Sequence, residues 1–205
     1  MSLVDIHMIR SPGSTWAFNF DAQVSRLSHP LVVFHEATHV QGNVLEARWQ
    51  GFNLGTSPYV SWIDDDGDEV LDMQWIDYAV HLLDSDPSIA AVYPRWRATK
   101  DYQVVHESKA EHPALHLEPH HLTIMRRKNV IPMLQAIRTA HPLMMVYPEL
   151  MLTLGSLRFG KLIPLNVMAY QWVQHSSSAR SVKQDPATEA FALAHMKESL
   201  TYYRV

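Results

Sequence analysis

An α/β domain built on a mostly parallel sheet is the fold class that the sequence predicts, and two features predict it. Through the first 95 of 205 residues, short β-branched apolar runs alternate several times with segments whose apolar residues recur at helical spacing. The junctions between them hold Gly, Pro, Ser and Asp, the residues that turn or cap a chain. A chain of this length suits one domain, or one domain with a small appendage, and can bury a sizeable core.

Residues 4–9, VDIHMI, read as a strand that ends at the turn residues of RSPGS. Residues 15–27 place Trp16, Phe20, Val24 and Leu27 at helical spacing. PLVVF, 30–34, is a short apolar run of the kind that parallel sheets bury. Residues 42–55 read as a helix, with Asn43 as N-cap and Gly55 near its end. PYVSWI, 58–63, is a strand that stops at an acidic cluster. Residues 68–86 read as an amphipathic helix with acids in its first turn, and IAAVYP, 89–94, as another strand. Residues 96–121, rich in His, Glu, Arg and Lys, read as a long loop region. The remainder reads as a strand over 121–127, helices over 130–140 and 148–159, and a strand over 161–175. An amphipathic helix over 185–203 closes the chain, with Asp185 and Pro186 matching N-cap and first-turn preferences.

Composition narrows the function classes. Apolar residues make up 47% and charged residues 19%, a globular balance. A net charge of -4 supplies no overall basic field for nucleic acid. The absence of cysteine excludes disulfides, thiolate zinc sites and cysteine nucleophiles. No run reaches the roughly 18 apolar residues of a membrane span. The start, MSLVDIHMIR, lacks the apolar core of a signal peptide, so a cytoplasmic location is expected.

Two stretches compete to carry chemistry. HEATH, 35–39, matches H-E-x-x-H, which on a helix holds zinc between its two histidines with the glutamate as general base. The match extends to Gly42, but Leu45 stands where a third histidine would complete the longer zinc pattern, and 13 histidines raise the chance rate of any such motif. The second stretch is the cluster Asp64, Asp65, Asp66 and Asp68, directly after an apolar strand. Acids so close repel one another, and placing them at the carboxyl end of a central strand is costly unless a cation binds there. Carboxylates are hard oxygen donors suited to Mg²⁺ or Mn²⁺.

EARWQGFNLGTSPYVSWIDDDGDE, 46–69, resembles the core of a family 2-like GT-A glycosyltransferase. Its pieces are Arg48 and Gly51 on a helix, then Gly55, Tyr59 and Val60, then an apolar strand and a D-x-D motif at Asp64 to Asp66. The second half is similar to the same family's layout: Glu149 where an acidic motif opens a helix, then Gly160, Tyr170, Trp172, and His175 followed by three serines. The resemblance covers roughly residues 3–182. Two departures stand out. Leu150 replaces the second acid of the acidic motif, and RSPGST replaces the usual ending of the first strand.

What the resemblance implies is a single GT-A domain over 1–205, with one Rossmann-like mixed sheet flanked by helices. Residues 1–95 are its nucleotide-binding half, 96–182 its acceptor half and 183–205 a C-terminal helix. A nucleotide-sugar donor, most often UDP-linked, is used with Mn²⁺ or Mg²⁺. Asp66 and His175 ligate the metal, and Asp64 contacts the ribose or shares the metal. Ser11 and Pro12 line the base pocket, Glu36 and Arg48 contact base and ribose, Asp65 adjoins the nucleotide, and Arg180 closes over the phosphates. Glu149 deprotonates an acceptor hydroxyl, with inversion at the anomeric carbon; with Leu150 beside it, the base lies there or elsewhere, or activity is lost. Trp96, flanked by Arg95 and Arg97, is an acceptor contact. The acceptor is a sugar, a lipid-linked sugar, a protein or a hydroxymethylated DNA base, for which residues 94–102 and 125–128 offer cations. In this reading Glu36 faces the nucleotide, and HEATH is a strand end. The alternatives are an H-E-x-x-H zinc metallopeptidase, a non-catalytic GT-A-like nucleotide-binding module, and a nucleotidyltransferase, for which RSPGST is a poor match to the Gly-rich basic loop required.

Overall fold

The structure is a computed structural model that describes residues 3–10, 24–25, 27–38, 44–64, 69–110, 122–138, 152 and 155–174. Most of the helix expected over 15–27, half of that over 148–159, and all of that over 185–203 lie outside these residues.

The sheet grows from the apolar runs. β1 (Val4–Arg10) sits between β2 (Val32–Thr38) and β3 (Tyr59–Asp64), parallel to both. β7 (Ile124–Arg126) joins β3 to β5 (Ile89–Lys100) and runs antiparallel to each. β8 (Lys161–Gln174) runs parallel to β5, and β4 (Glu69–Val70) pairs antiparallel with β8. The order is β2-β1-β3-β7-β5-β8-β4, with β6 (Gln103–Glu107) on β5. The sheet is therefore mixed. Its parallel pairs are β1 with β2 and with β3, and β5 with β8, and each of the connections between them is long enough to cross over.

Helices cover both faces. α1 (Val44–Phe52) and α3 (Arg127–Arg138) pack on one face, where Leu45, Phe52, Val130 and Leu134 join Trp62, Tyr93 and Met125. α2 (Trp75–Ser85) packs on the other, where Ile76, Ala79, Val80 and Leu83 meet Ile6, Ile63, Trp96 and Tyr170. Two adjacent arginines close two helix ends on opposite faces. Arg126 donates to the carbonyls of Leu83, Asp86 and Ile89, in and after the last turn of α2, and Arg127 to those of Phe52, Leu54 and Ser57, at and after the end of α1. The carbonyls of Leu83 and Phe52 are among the acceptors a helix terminus leaves without intrahelical partners, and the others lie in the connections that follow. No helix among the described residues is long and apolar enough to cross a membrane.

Two expectations are corrected. The loop expected from residue 96 is strand up to 107: β5 runs straight past Arg95 and turns into β6 through Asp101 and Tyr102, both at positive φ. That two-residue connection is the one whose twist suits a hairpin, but its usual Asn-Gly or Asp-Gly signal is missing here. The helix expected from 68 begins only at Trp75. Glu69 and Val70 are instead drawn into the ladder beside Gln171 and Tyr170, and the Asp72 carboxylate accepts the Gln74 N–H at 2.8 Å in the turn before the helix.

Candidate functional site

The carboxyl ends of β1, β2 and β3 lie side by side: Ile9 is level with both Ala37 and Asp64. In open α/β sheets this edge receives ligands. Neighbouring residues on a strand point to opposite faces. Asp64, level with Ile9, therefore leaves the sheet on the α1 face, and Glu36, level with Met8, on the α2 face. Glu36 pairs there with Arg10 at 3.2 Å.

Asp64 is 30% exposed and pairs with Arg48, whose side chain is 1% exposed. The two residues expected at the nucleotide are thus joined to each other. Behind the guanidinium, Nη1 lies 3.4 Å from His7 Nε2 and 3.5 Å from the Ile63 carbonyl, and its carbon sits 6.0 Å from the Trp62 ring centroid. Burial and the neighbouring Arg48 charge hold the His7 pKa well below its ordinary value, so the imidazole is neutral and accepts from Arg48. The spacing Arg48-x-x-Gly51 now has a physical reason. A Cβ on Gly51 would come within 2.2 Å of His7 Cδ2, so only glycine lets the imidazole lie against the helix and back the arginine.

A second polar cluster lies at the other end of the same face. The Asp5 carboxylate, 5% exposed, accepts from His35 Nε2 at 2.9 Å, from the Ser57 N–H at 2.7 Å and from Arg127. Burial alone would raise its pKa. The His35 and Ser57 hydrogen bonds outweigh that and hold it below the ordinary carboxylate value. Gly55, at φ +72, passes so close that a Cβ would meet Asp5 and His35. This arrangement overturns the zinc-peptidase alternative. His35 to Thr38 are strand, so the helical face that H-E-x-x-H needs does not form, and His35 serves Asp5. His39 lies outside the described residues. Asp5 and His7 escaped the reading of the sequence, although two polar residues at period 2 inside an apolar strand were a signal.

The two halves of the chain meet beside Asp64. Its N–H points to the Tyr170 hydroxyl at 3.4 Å, and Glu69, five residues on, pairs with Gln171 both in the ladder and through its side chain at 2.9 Å. Asp65, Asp66, Glu149, His175, Arg180, Ser11 and Pro12 lie outside the described residues. Among the described residues no three His, Asp or Glu side chains gather as a metal site.

The residues expected at the acceptor are otherwise engaged. Trp96 is 3% exposed and packs in the core against α2, with Trp172 edge-on at 6.3 Å. Its ring is a core element and not a platform open to a sugar. Arg95 donates to the Ser108 carbonyl, Asn166 and Glu107, and Arg97 donates to Gln171 at 2.7 Å. With Arg126 and Arg127 closing helix ends, the four arginines of the two basic stretches are built into the fold, while Lys100 and Lys128 are exposed.

No protein-family model matches the chain, and neither does any curated protein. Solved structures do. TarS of S. aureus, residues 1–349 in complex with UDP-GlcNAc, aligns with a TM-score of 0.63 at 10% identity over 90% of this chain and 62% of that one. A longer TarS structure gives 0.59 at 11% over 95% and 42%, and GalNAc-T7 with UDP, GalNAc and Mn²⁺ gives 0.50 at 9% over 92% and 47%. The fold is GT-A. Mixed strand order and helices on both faces sit within that GT-A frame. The chain spans about three-fifths of the length of TarS 1–349. At these identities the likeness carries the fold.

Proposed function

We propose that the chain is a glycosyltransferase that moves a sugar from a nucleotide-sugar donor, UDP-linked, to an acceptor hydroxyl with inversion. The observation that carries this is the acidic end of β3: Asp64 lies level with Ile9 and Ala37, next to the ends of β1 and β2, in a GT-A fold shared with proteins solved with UDP-GlcNAc and with UDP and Mn²⁺. Ser11, Pro12 and Glu36 line the base and ribose pocket, with Asp65 alongside, and Arg180 closes on the phosphates.

Mn²⁺ or Mg²⁺ suits the carboxylates of Asp64 and Asp66, which are hard oxygen donors, and the His175 imidazole, a borderline nitrogen donor, would be taken more readily by Mn²⁺ than by Mg²⁺. Chain connectivity supports the grouping. Only four residues separate Asp64 from Glu69, which pairs with Gln171, and His175 directly follows the end of β8. When bound, the metal supplies positive charge where a leaving diphosphate gathers negative charge. Glu149 takes the proton of the acceptor hydroxyl as it attacks the anomeric carbon. Leu150, in place of a second acid, favours one further reading, a module that binds the nucleotide without turnover.

Thermal melts with UDP, GDP, CDP and UDP-sugars, with and without Mn²⁺, test the proposal. A ligand at 100 times its dissociation constant adds about 2.7 kcal/mol, which a melt resolves. Stabilisation by UDP that requires Mn²⁺, lost in Asp66→Ala and His175→Ala, is expected. Glu149→Gln is expected to keep binding and lose transfer. Binding by the wild type with no transfer to any acceptor would favour the non-catalytic reading, and no nucleotide effect at all would sink both.

A further inference from the structure

A guanidinium buried as completely as Arg48 is costly unless its partners are well placed. Nη2 donates to Asp64 Oδ1, Nη1 faces His7 and the Ile63 carbonyl, and the group lies over Trp62. Asp64 is the partially exposed member of this chain of contacts. From this geometry we infer that Arg48 is a positioning residue: it orients the Asp64 carboxylate toward the donor and does not itself touch the nucleotide.

The inference rests on the glycosyltransferase reading and deepens it. A carboxylate at a strand end can rotate and present either oxygen. A charge-assisted bond from a donor that cannot move removes that freedom before the ligand arrives. Arg48 is held by the Trp62 ring on one side and by neutral His7 on another, and Gly51 gives the imidazole its room. Among the described residues Oδ1 is the oxygen engaged, which leaves Oδ2 for the donor. A lysine would keep the charge but lose the fork that reaches Asp64 and His7 together.

A double-mutant cycle tests it: calorimetric binding of UDP with Mn²⁺ to the wild type, Arg48→Met, Asp64→Asn and the double variant. Arg48→Met is expected to weaken binding roughly tenfold in the native background and less than about twofold in the Asp64→Asn background, because its effect passes through Asp64. Equal losses in both backgrounds would mean a direct nucleotide contact and overturn the inference. Arg48→Lys takes the place of Arg48→Met in the cycle should the latter fail to fold. If both single variants lose binding altogether, a crystal structure of the wild type with UDP and Mn²⁺ decides. A nucleotide atom within hydrogen-bond distance of the guanidinium overturns the inference, and its absence upholds it. A wild type that binds no nucleoside diphosphate removes the glycosyltransferase reading and this inference with it.

Discussion

His7 and Asp5 are two polar side chains in one apolar strand, and each ties stability to pH in its own window. His7 is kept neutral by burial and by Arg48, so below its ordinary value of 6.5 the unfolded chain takes up a proton that the folded chain does not. Stability therefore falls as pH drops below 6.5. Melts of His7→Gln from pH 7.5 to 5 are expected to show a shallower decline than the wild type; an equal decline would mean that His7 contributes nothing. Asp5 acts lower. Its folded pKa is depressed, so its stabilisation is present above the ordinary 3.8 and is lost as pH falls through the folded value. Asp5→Asn leaves Arg127 without its counter-charge and is expected to cost about 3 kcal/mol in urea unfolding at pH 7. A loss under about 1 kcal/mol would show that the three carbonyls satisfy Arg127 alone.

Elements here are placed by small residues and by side chains reaching from elsewhere. α1 lies close on β1 because Gly51 presents no Cβ to His7. Gly51→Ala should overpack that contact by about 2 kcal/mol, a typical cost of an added methyl group in a filled core. In a His7→Ala background the same change is expected to cost much less, since the ring it strikes is gone. Equal costs in both backgrounds, read by denaturant melts, would place the strain elsewhere. β4 shows the reverse dependence. Two residues after an acidic stretch of sequence have no strong tendency of their own, and they become strand because the edge of β8 offers hydrogen bonds to Glu69 and Val70.

The molecule as a whole carries a net charge of -4, and four of its arginines are already committed. Arg95 and Arg97 bridge β5 to its neighbours, while Arg126 and Arg127 close helices. Duplex DNA carrying hydroxymethylated bases is therefore expected not to bind even at low salt, where phosphate contacts are strongest. A salt-sensitive shift of such a duplex would reverse that expectation and return a modified base to the candidate acceptors. The organisation of the sheet bears on the acceptor as well. β5 runs unbroken from Ile89 to Lys100, so the expected division at residue 95 falls inside a strand shared by both halves.

The sequence by itself determined the strands at β1, β3 and β8, helix α1, and the acidic strand end at Asp64, because apolar period, caps and a charge cluster are local signals. It also set Arg48, Gly51 and Gly55 at the spacing that resembles a GT-A core. Only the tertiary structure decided what those residues touch. Arg48 turns inward to Asp64, His35 serves Asp5 and not a metal, Trp96 joins the core, and Arg126 and Arg127 reach carbonyls some 40 to 75 residues away. The physical reason is the same for each. Partner choice for a long polar side chain is made by whichever unpaired group the fold brings within reach, and sequence spacing records nothing of groups that distant.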